Sequence, residues 1–256
     1  MNSFTMLSFD VEEFDMPLEY NQQISPELQM ETGRLGLEAL IPLWEKYNTP
    51  CTLFTTANYA QHFPETIRAL AAKHEIASHT FYHSSFETAD LERSRIVLEE
   101  IAGTPVTGLR MPRMKKVAME DVAKAGYEYD SSVNPTIIPG RYNNFHLPRT
   151  VYTENGVTRI PASVSPVIRL PLFWLAFKNY PYKLFLRLCL QTLKKDGYIC
   201  LYFHPWEFTN LAAFKLPVYA KKPDGIVLQQ RLERLIKDLS QRTQFITIRD
   251  FLSSGK

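Results

Sequence analysis

Five ionisable residues each follow a short apolar run: Asp10 after LSF, His79 after EIAS, Arg110 after VTGL, Asp130 after YEY and His204 after CLYF. If those runs are parallel strands, the five groups stand at strand ends that meet on one face, and in a barrel that face carries the active site. One polar residue at a strand end is ordinary solvation; five on one face describe a site. Local spacing narrows the chemistry. Residues two apart on a strand point the same way, so Asp10 and Glu12 share a side and Val11 takes the other. Two carboxylates placed so allow one to ligate a metal while its neighbour accepts a proton from water. His79 and His83 are four apart, a separation that brings two imidazoles onto one face of a helical turn. With one carboxylate they make a three-ligand set that leaves a position for water. Pro205 restricts His204 to extended geometry and so aims its imidazole from the strand end. Trp206 offers a flat apolar face that suits a sugar ring and equally suits core packing.

These groups need elements to hold them. Short apolar, β-branched segments predict strands at Thr5–Phe9, Cys51–Thr55, Glu75–Ser78, Val106–Leu109, Tyr127–Tyr129, Thr158–Pro161, Tyr198–Phe203 and Phe245–Ile248. Helical patterns lie between them. Leu37, Leu40, Ile41 and Trp44 recur at three-to-four spacing, as do Leu228, Leu232, Leu235, Ile236 and Leu239. Pro64 suits the first turn of a helix through about His74, and Thr88 suits the cap of another. Gly126 and Gly197 each stand between a helical run and a strand, the position of a helix stop. Strand–helix alternation implies a parallel sheet, and about eight strands imply closure into a barrel. Asp15–Thr32 reads as a loop over one end and Ser131–Thr158 as an irregular region. Neither has linker composition, so residues 1–256 are expected to form one domain.

The composition is that of a globular protein, with 45% hydrophobic and 22% charged residues in 256. A balance of 29 basic against 27 acidic residues, net +2, excludes a general nucleic-acid binder. Cys51, Cys189 and Cys200 cannot all pair and form no close-spaced motif, which argues against a disulfide scaffold or a zinc–cysteine site and for a reducing compartment. The opening MNSFTMLSFDVEEF lacks a basic, then apolar, export signal, so a cytoplasmic location is expected.

Five segments together resemble motifs of the polysaccharide deacetylases (NodB-like, carbohydrate esterase family 4). LSFDVEEF is similar to the first motif, HTFYH to the second, GLRMPR to the arginine motif, YDSSV to the fourth and LYFHPWEF to the histidine motif, all in family order. The DVE, DSSV and HPWE forms, with RIPASVSPVIRLP between the last two, are most like a branch acting on bacterial surface polysaccharides and exopolysaccharides. The resemblance implies an irregular (β/α) barrel of seven or eight parallel strands and metal-dependent hydrolysis of an N-acetyl group from a polysaccharide, and the expected cytoplasmic location adds a lipid-linked saccharide precursor as a substrate. It implies Asp10 as catalytic base, Arg110 as the group that holds it, His79 and His83 as metal ligands, and His204 as the residue that assists the leaving amine. The metal implied is zinc, with cobalt or manganese as substitutes. Asp130 would hold Arg110 or polarise His204, unless it only forms a turn before Ser131 and Ser132. Trp206, Arg113 and Tyr82 are the expected substrate contacts.

One position departs from the family. The common first motif has two adjacent aspartates, the second a metal ligand, and here that place is Val11. Glu12 is the natural replacement because it shares the face of Asp10. Two alternatives stay open: a metal-free amidohydrolase resembling allantoinases and cyclic-imide hydrolases, and an inactive carbohydrate-binding relic. Oligomeric state is not legible. The segment Phe173–Leu190 carries six aromatic residues and the cations Lys178, Lys183 and Arg187. It reads as a buried helix with its preceding loop, or as a peripheral membrane contact.

Overall fold

The computed structural model describes residues 3–255. Its strands are β1 (Phe4–Val11), β2 (Cys51–Thr55), β3 (Glu75–Ser78), β4 (Gly108–Leu109), β5 (Tyr129–Asp130), β6 (Ile137–Ile138), β7 (Tyr142–Asn143), β8 (Tyr152–Glu154), β9 (Val157–Arg159), β10 (Tyr198–Phe203) and β11 (Gln244–Phe245). Its α-helices are α1 (Pro26–Lys46), α2 (Ala57–His62), α3 (Pro64–Ala71), α4 (Asp90–Ala102), α5 (Met119–Lys124), α6 (Trp174–Asn179), α7 (Tyr182–Asp196), α8 (Val218–Lys221), α9 (Gly225–Ser240) and α10 (Ile248–Ser253).

The main sheet runs β10-β1-β2-β3-β4-β5-β9-β8, with β11 paired to the first residues of β1. Every pairing is parallel except β8 with β9. The sheet curls into an α/β barrel of the expected kind, but its seam is not a strand pair. Beyond β9 the chain passes β10, where the Ser163 N–H donates to the Cys200 carbonyl at 2.9 Å and Ser163 Oγ accepts from the Cys200 N–H at 2.8 Å.

Alternation along the strands separates two interiors. On β1, Leu7, Phe9 and Val11 join the large core under the helices, while Phe4 and Met6 join a smaller cluster with Phe54, Ala77, Tyr129, Ile160, Tyr198 and Cys200. Ile248 and Phe251 of α10 complete this inner plug. Asp10 and Glu12 continue the inward series of β1, above the plug.

Three regions differ from the sequence reading. The Asp15–Thr32 segment is not all loop, because α1 begins at Pro26: Ser25 Oγ accepts from the Leu28 N–H at 3.2 Å and Pro26 occupies the first turn. Ser131–Thr158 contains the hairpin β6–β7 and the antiparallel edge β8. Ile248 starts α10 rather than ending a strand, since Thr247 caps that helix by accepting from the Asp250 N–H at 3.1 Å. Phe173, Trp174, Phe177 and Phe185 are buried, as the buried-helix reading of the aromatic stretch expects, and Lys183, Leu184 and Arg187 stay exposed. Among the described residues no helix is long and apolar enough to cross a membrane.

Candidate active site

The site is built upward from the inner plug. Arg110 follows β4 and is fully buried; its guanidinium lies over the Phe54 ring at 4.0 Å and the Tyr202 ring at 5.0 Å. It donates from Nη1 to Asp10 Oδ1 at 2.6 Å, from Nη2 to Ser131 Oγ at 3.0 Å and from Nε to the Ser131 carbonyl at 3.2 Å. A fork held at three points on apolar rings fixes the carboxylate it binds. Asp10 Oδ2 is left facing two imidazoles, 4.0 Å from His79 Nε2 and 3.8 Å from His204 Nε2.

His79 and His83 do meet, but not on a helical turn. Thr80 between them takes a left-handed φ of +63°. Its carbonyl accepts from the Ala57 N–H at 3.0 Å, as the Phe81 carbonyl does from Asn58. This bend leaves the two rings stacked, their centroids 5.6 Å apart. His79 Nδ1 lies 2.7 Å from the Arg110 carbonyl oxygen. A carbonyl only accepts, so Nδ1 carries a proton and Nε2 is the nitrogen turned toward the site. His83 Nδ1 donates in the same way to Asp15 Oδ1 at 2.8 Å. Both Nε2 atoms then approach Glu12 Oε2, His79 at 3.0 Å and His83 at 3.1 Å.

That convergence suits a cation. Glu12 Oε2 and His79 Nε2 are buried yet have no hydrogen-bond partner. The ligand atoms of Glu12, His79 and His83 all lie within 4.8 Å of one another. Two imidazoles, each fixed by an acceptor on Nδ1 and turned through Nε2 toward one carboxylate, form the donor set of an open hydrolytic metal site, the ion taking the place of the Nε2 protons. Glu12 Oε1 is oriented by the Trp206 Nε1–H at 3.1 Å. Burial alone would raise the Glu12 pKa, but the charge of His83 and the contact with His79 hold it well below the usual carboxylate range. Burial alone would lower His83, but Glu12 and Asp15 outweigh it and push its pKa up to about 9.

A cavity of about 300 Å³ opens above these groups, lined by Asp10, Glu12, His79, His83, Arg113 and His204. Trp174, Tyr202 and, from the hairpin, Ile138 and Tyr142 give it aromatic and apolar lining.

Three expected contacts sit differently from their assigned places. Asp130 pairs with Arg159 Nε at 2.8 Å and accepts from the Ser132 N–H at 3.0 Å, so its direct contacts are these, and Arg110 acts on it only through its charge. Burial raises its pKa. The carboxylate against His204 is Glu207 instead, with Oε1 3.1 Å from His204 Nδ1. Tyr82 is 36% exposed and does not line the cavity, because the Thr80 bend turns it outward. Trp206 does line the cavity but is 2% exposed, its ring stacked on His204. Arg113 lines the cavity and donates to both Asp15 oxygens at 2.9 Å. Asp15, Ser131 and Trp174 are not among the expected site residues, and Glu207 enters the sequence reading only as a member of the HPWE run, with no role of its own. Glu207 stands three residues after His204, and the other three carry no spacing signal.

Comparison with known proteins agrees with this architecture. The polysaccharide deacetylase family model matches residues 34–129. A peptidoglycan deacetylase of Helicobacter pylori is 26% identical over 111 residues, 40% of this chain and 38% of that protein, so the match spans well under half of the relative's length. Over nearly its whole length the chain resembles a Mycobacterium smegmatis structure assigned as a polysaccharide deacetylase, with a TM-score of 0.67, 18% identity and coverage of 98% and 89% of the two chains. The Puue allantoinase shares the fold at a TM-score of 0.62 and 16% identity, over 96% and 88%. At such identities the structural likeness speaks for the fold alone, while the sequence matches support the polysaccharide deacetylase family.

Proposed function

We propose that this chain hydrolyses the N-acetyl amide of an N-acetylated saccharide, a polysaccharide or a lipid-linked one, with a divalent metal, zinc foremost, held by Glu12, His79 and His83. We place it in the branch with DVE and HPWE motifs, acting as a single catalytic unit. The observation that carries the proposal is one cavity in which an oriented carboxylate, an outward-facing imidazole and a convergent Glu–His–His set stand together. An amide is a poor electrophile and neutral water a poor nucleophile; a bound cation supplies polarisation of the acetyl oxygen and greater acidity of water. The protein's residues supply the rest. Asp10, fixed by Arg110, takes a proton from the attacking water as its oxygen bonds to the acetyl carbon. His204 gives its Nε2 proton to the departing nitrogen, which cannot leave as an amide anion. The C–N bond breaks to acetate and a free amino sugar. Trp174 and Tyr202 contribute apolar wall to the cavity that would take the sugar.

The test is acetate release from N-acetylglucosamine oligomers and from peptidoglycan by purified protein loaded with zinc, cobalt or manganese. Release that stops on chelation and returns with metal supports the proposal. Activity indifferent to chelation would favour the metal-free amidohydrolase. Saccharide binding without turnover would favour the inactive relic.

A further inference from the structure

We propose that Glu207 and Lys178 form a buried ion pair whose task is to position His204 as proton donor. Both are positioning residues, and the inference rests on the deacetylase reading above. Glu207, in the short turn Pro205–Phe208, is 0% exposed. Its Oε1 accepts twice from His204, from the backbone N–H at 2.8 Å and from Nδ1 at 3.1 Å. A carboxylate at that place requires a proton on Nδ1, so the ring is fixed in one orientation and Nε2 faces Asp10 and the cavity. Two indoles hold the same ring, Trp206 stacked at 4.9 Å and Trp174 edge-on at 5.2 Å.

The second oxygen of Glu207 explains the lysine. Oε2 is buried without a hydrogen-bond partner, and Lys178 Nζ stands 3.4 Å from it. Both side chains are 0% exposed. Lys178 Nζ donates to the Ala220 carbonyl at 2.8 Å and lies 5.7 and 5.9 Å from the Trp174 and Trp206 rings. The ammonium therefore sits behind the two indoles that clamp His204, out of reach of the cavity. An apolar pair of similar size in such a place is often as stable as an ion pair. Stability alone gives little reason for this pair here, whereas Glu207 Oε1 against Nδ1 holds the His204 ring with Nε2 toward the cavity. Lys178 Nζ faces the Glu207 oxygen that His204 leaves unused.

A general acid matters only when the leaving group needs a proton. The experiment compares wild type, Glu207→Gln, Lys178→Met and the double variant on an N-acetylglucosamine oligomer and on p-nitrophenyl acetate, whose phenolate leaves unprotonated. The amide-to-ester ratio of kcat should fall about 100-fold in each variant, with KM for the oligomer little changed, in line with the worth of a general acid. Glu207→Asp should recover part of the ratio. The double variant removes both charges and guards against a misfolded single variant left with one unpaired charge; circular dichroism melting checks its fold. An unchanged ratio in a folded double variant overturns the inference while the deacetylase reading stands. A wild type that releases no acetate from the amide overturns the reading, and this inference with it.

Discussion

At the scale of single residues, the division of labour in the site follows from which oxygen or nitrogen is already engaged. Asp10 has one oxygen tied to Arg110 and one free, while Glu12 has one oxygen on Trp206 and one facing the histidines. Asp10→Asn should therefore abolish acetate release yet leave zinc binding by calorimetry nearly unchanged, whereas His79→Ala should lose both. Asp15 acts through His83, whose Nδ1 proton it accepts while Arg113 holds both its oxygens. Removing such an outer partner weakens metal affinity about 10- to 100-fold, so Asp15→Ala should raise the zinc Kd by that factor in a competition titration with a chromophoric chelator. The shared side of Asp10 and Glu12 was legible, because strand alternation fixes direction from spacing alone. The partners of His204 and His83 were not: Glu207 reaches His204 through a turn and Asp15 reaches His83 across 68 positions, neither of which periodicity describes.

At the scale of elements, α1 is pressed against the two segments that carry the site. A Cβ on Gly36 would fall 2.0 Å from the Pro205 carbonyl oxygen, and one on Gly33 would fall 2.7 Å from that of Glu12. These glycines allow backbone to meet backbone where His204 and Glu12 are set. Gly36→Ala must push the Pro205–Phe208 turn away, so it should cost about 1–3 kcal/mol in urea unfolding and also lower kcat. Gly103→Ala, at φ +68° with open space around it, should cost only a backbone term of about 1 kcal/mol and leave kcat alone. The helix itself was legible from Leu37, Leu40, Ile41 and Trp44, whose spacing describes its buried face. Its start at Pro26 was not, since the first turn lacks that apolar spacing and depends on the Ser25 cap. The hairpin β6–β7 escaped for a related reason: two-residue strands with exposed or half-buried side chains leave no alternation to read.

At the scale of the whole molecule, the inner plug separates a catalytic end from an end that governs stability, and the latter should give the protein a measurable pH dependence. Below the plug, His74 is buried before β3, and its Nδ1 accepts from the Cys51 N–H at 3.2 Å, a role open only to an unprotonated nitrogen. Burial, with some help from Lys73, lowers its pKa from 6.5 to about 4. Between those values the unfolded chain binds a proton that the folded chain does not, so stability rises with pH through this window and is lost as pH falls through it. The difference amounts to about 2–3 kcal/mol between pH 4.5 and 7. Its neighbour Glu75 works in the opposite sense. Burial raises that carboxyl, so the fold retains its proton longer than the unfolded chain and stability declines as pH climbs from the ordinary glutamate range. Because the two windows overlap and act in opposite senses, the wild-type curve alone cannot assign either. His74→Gln separates them, since its amide oxygen can still accept from Cys51 but does not titrate. Urea unfolding at pH 4.5 and 7 should show the wild type gaining about 2–3 kcal/mol more than His74→Gln over that interval. Equal gains in the two proteins would mean that His74 is protonated in the fold and that the Cys51 hydrogen bond is not what holds this end of the barrel.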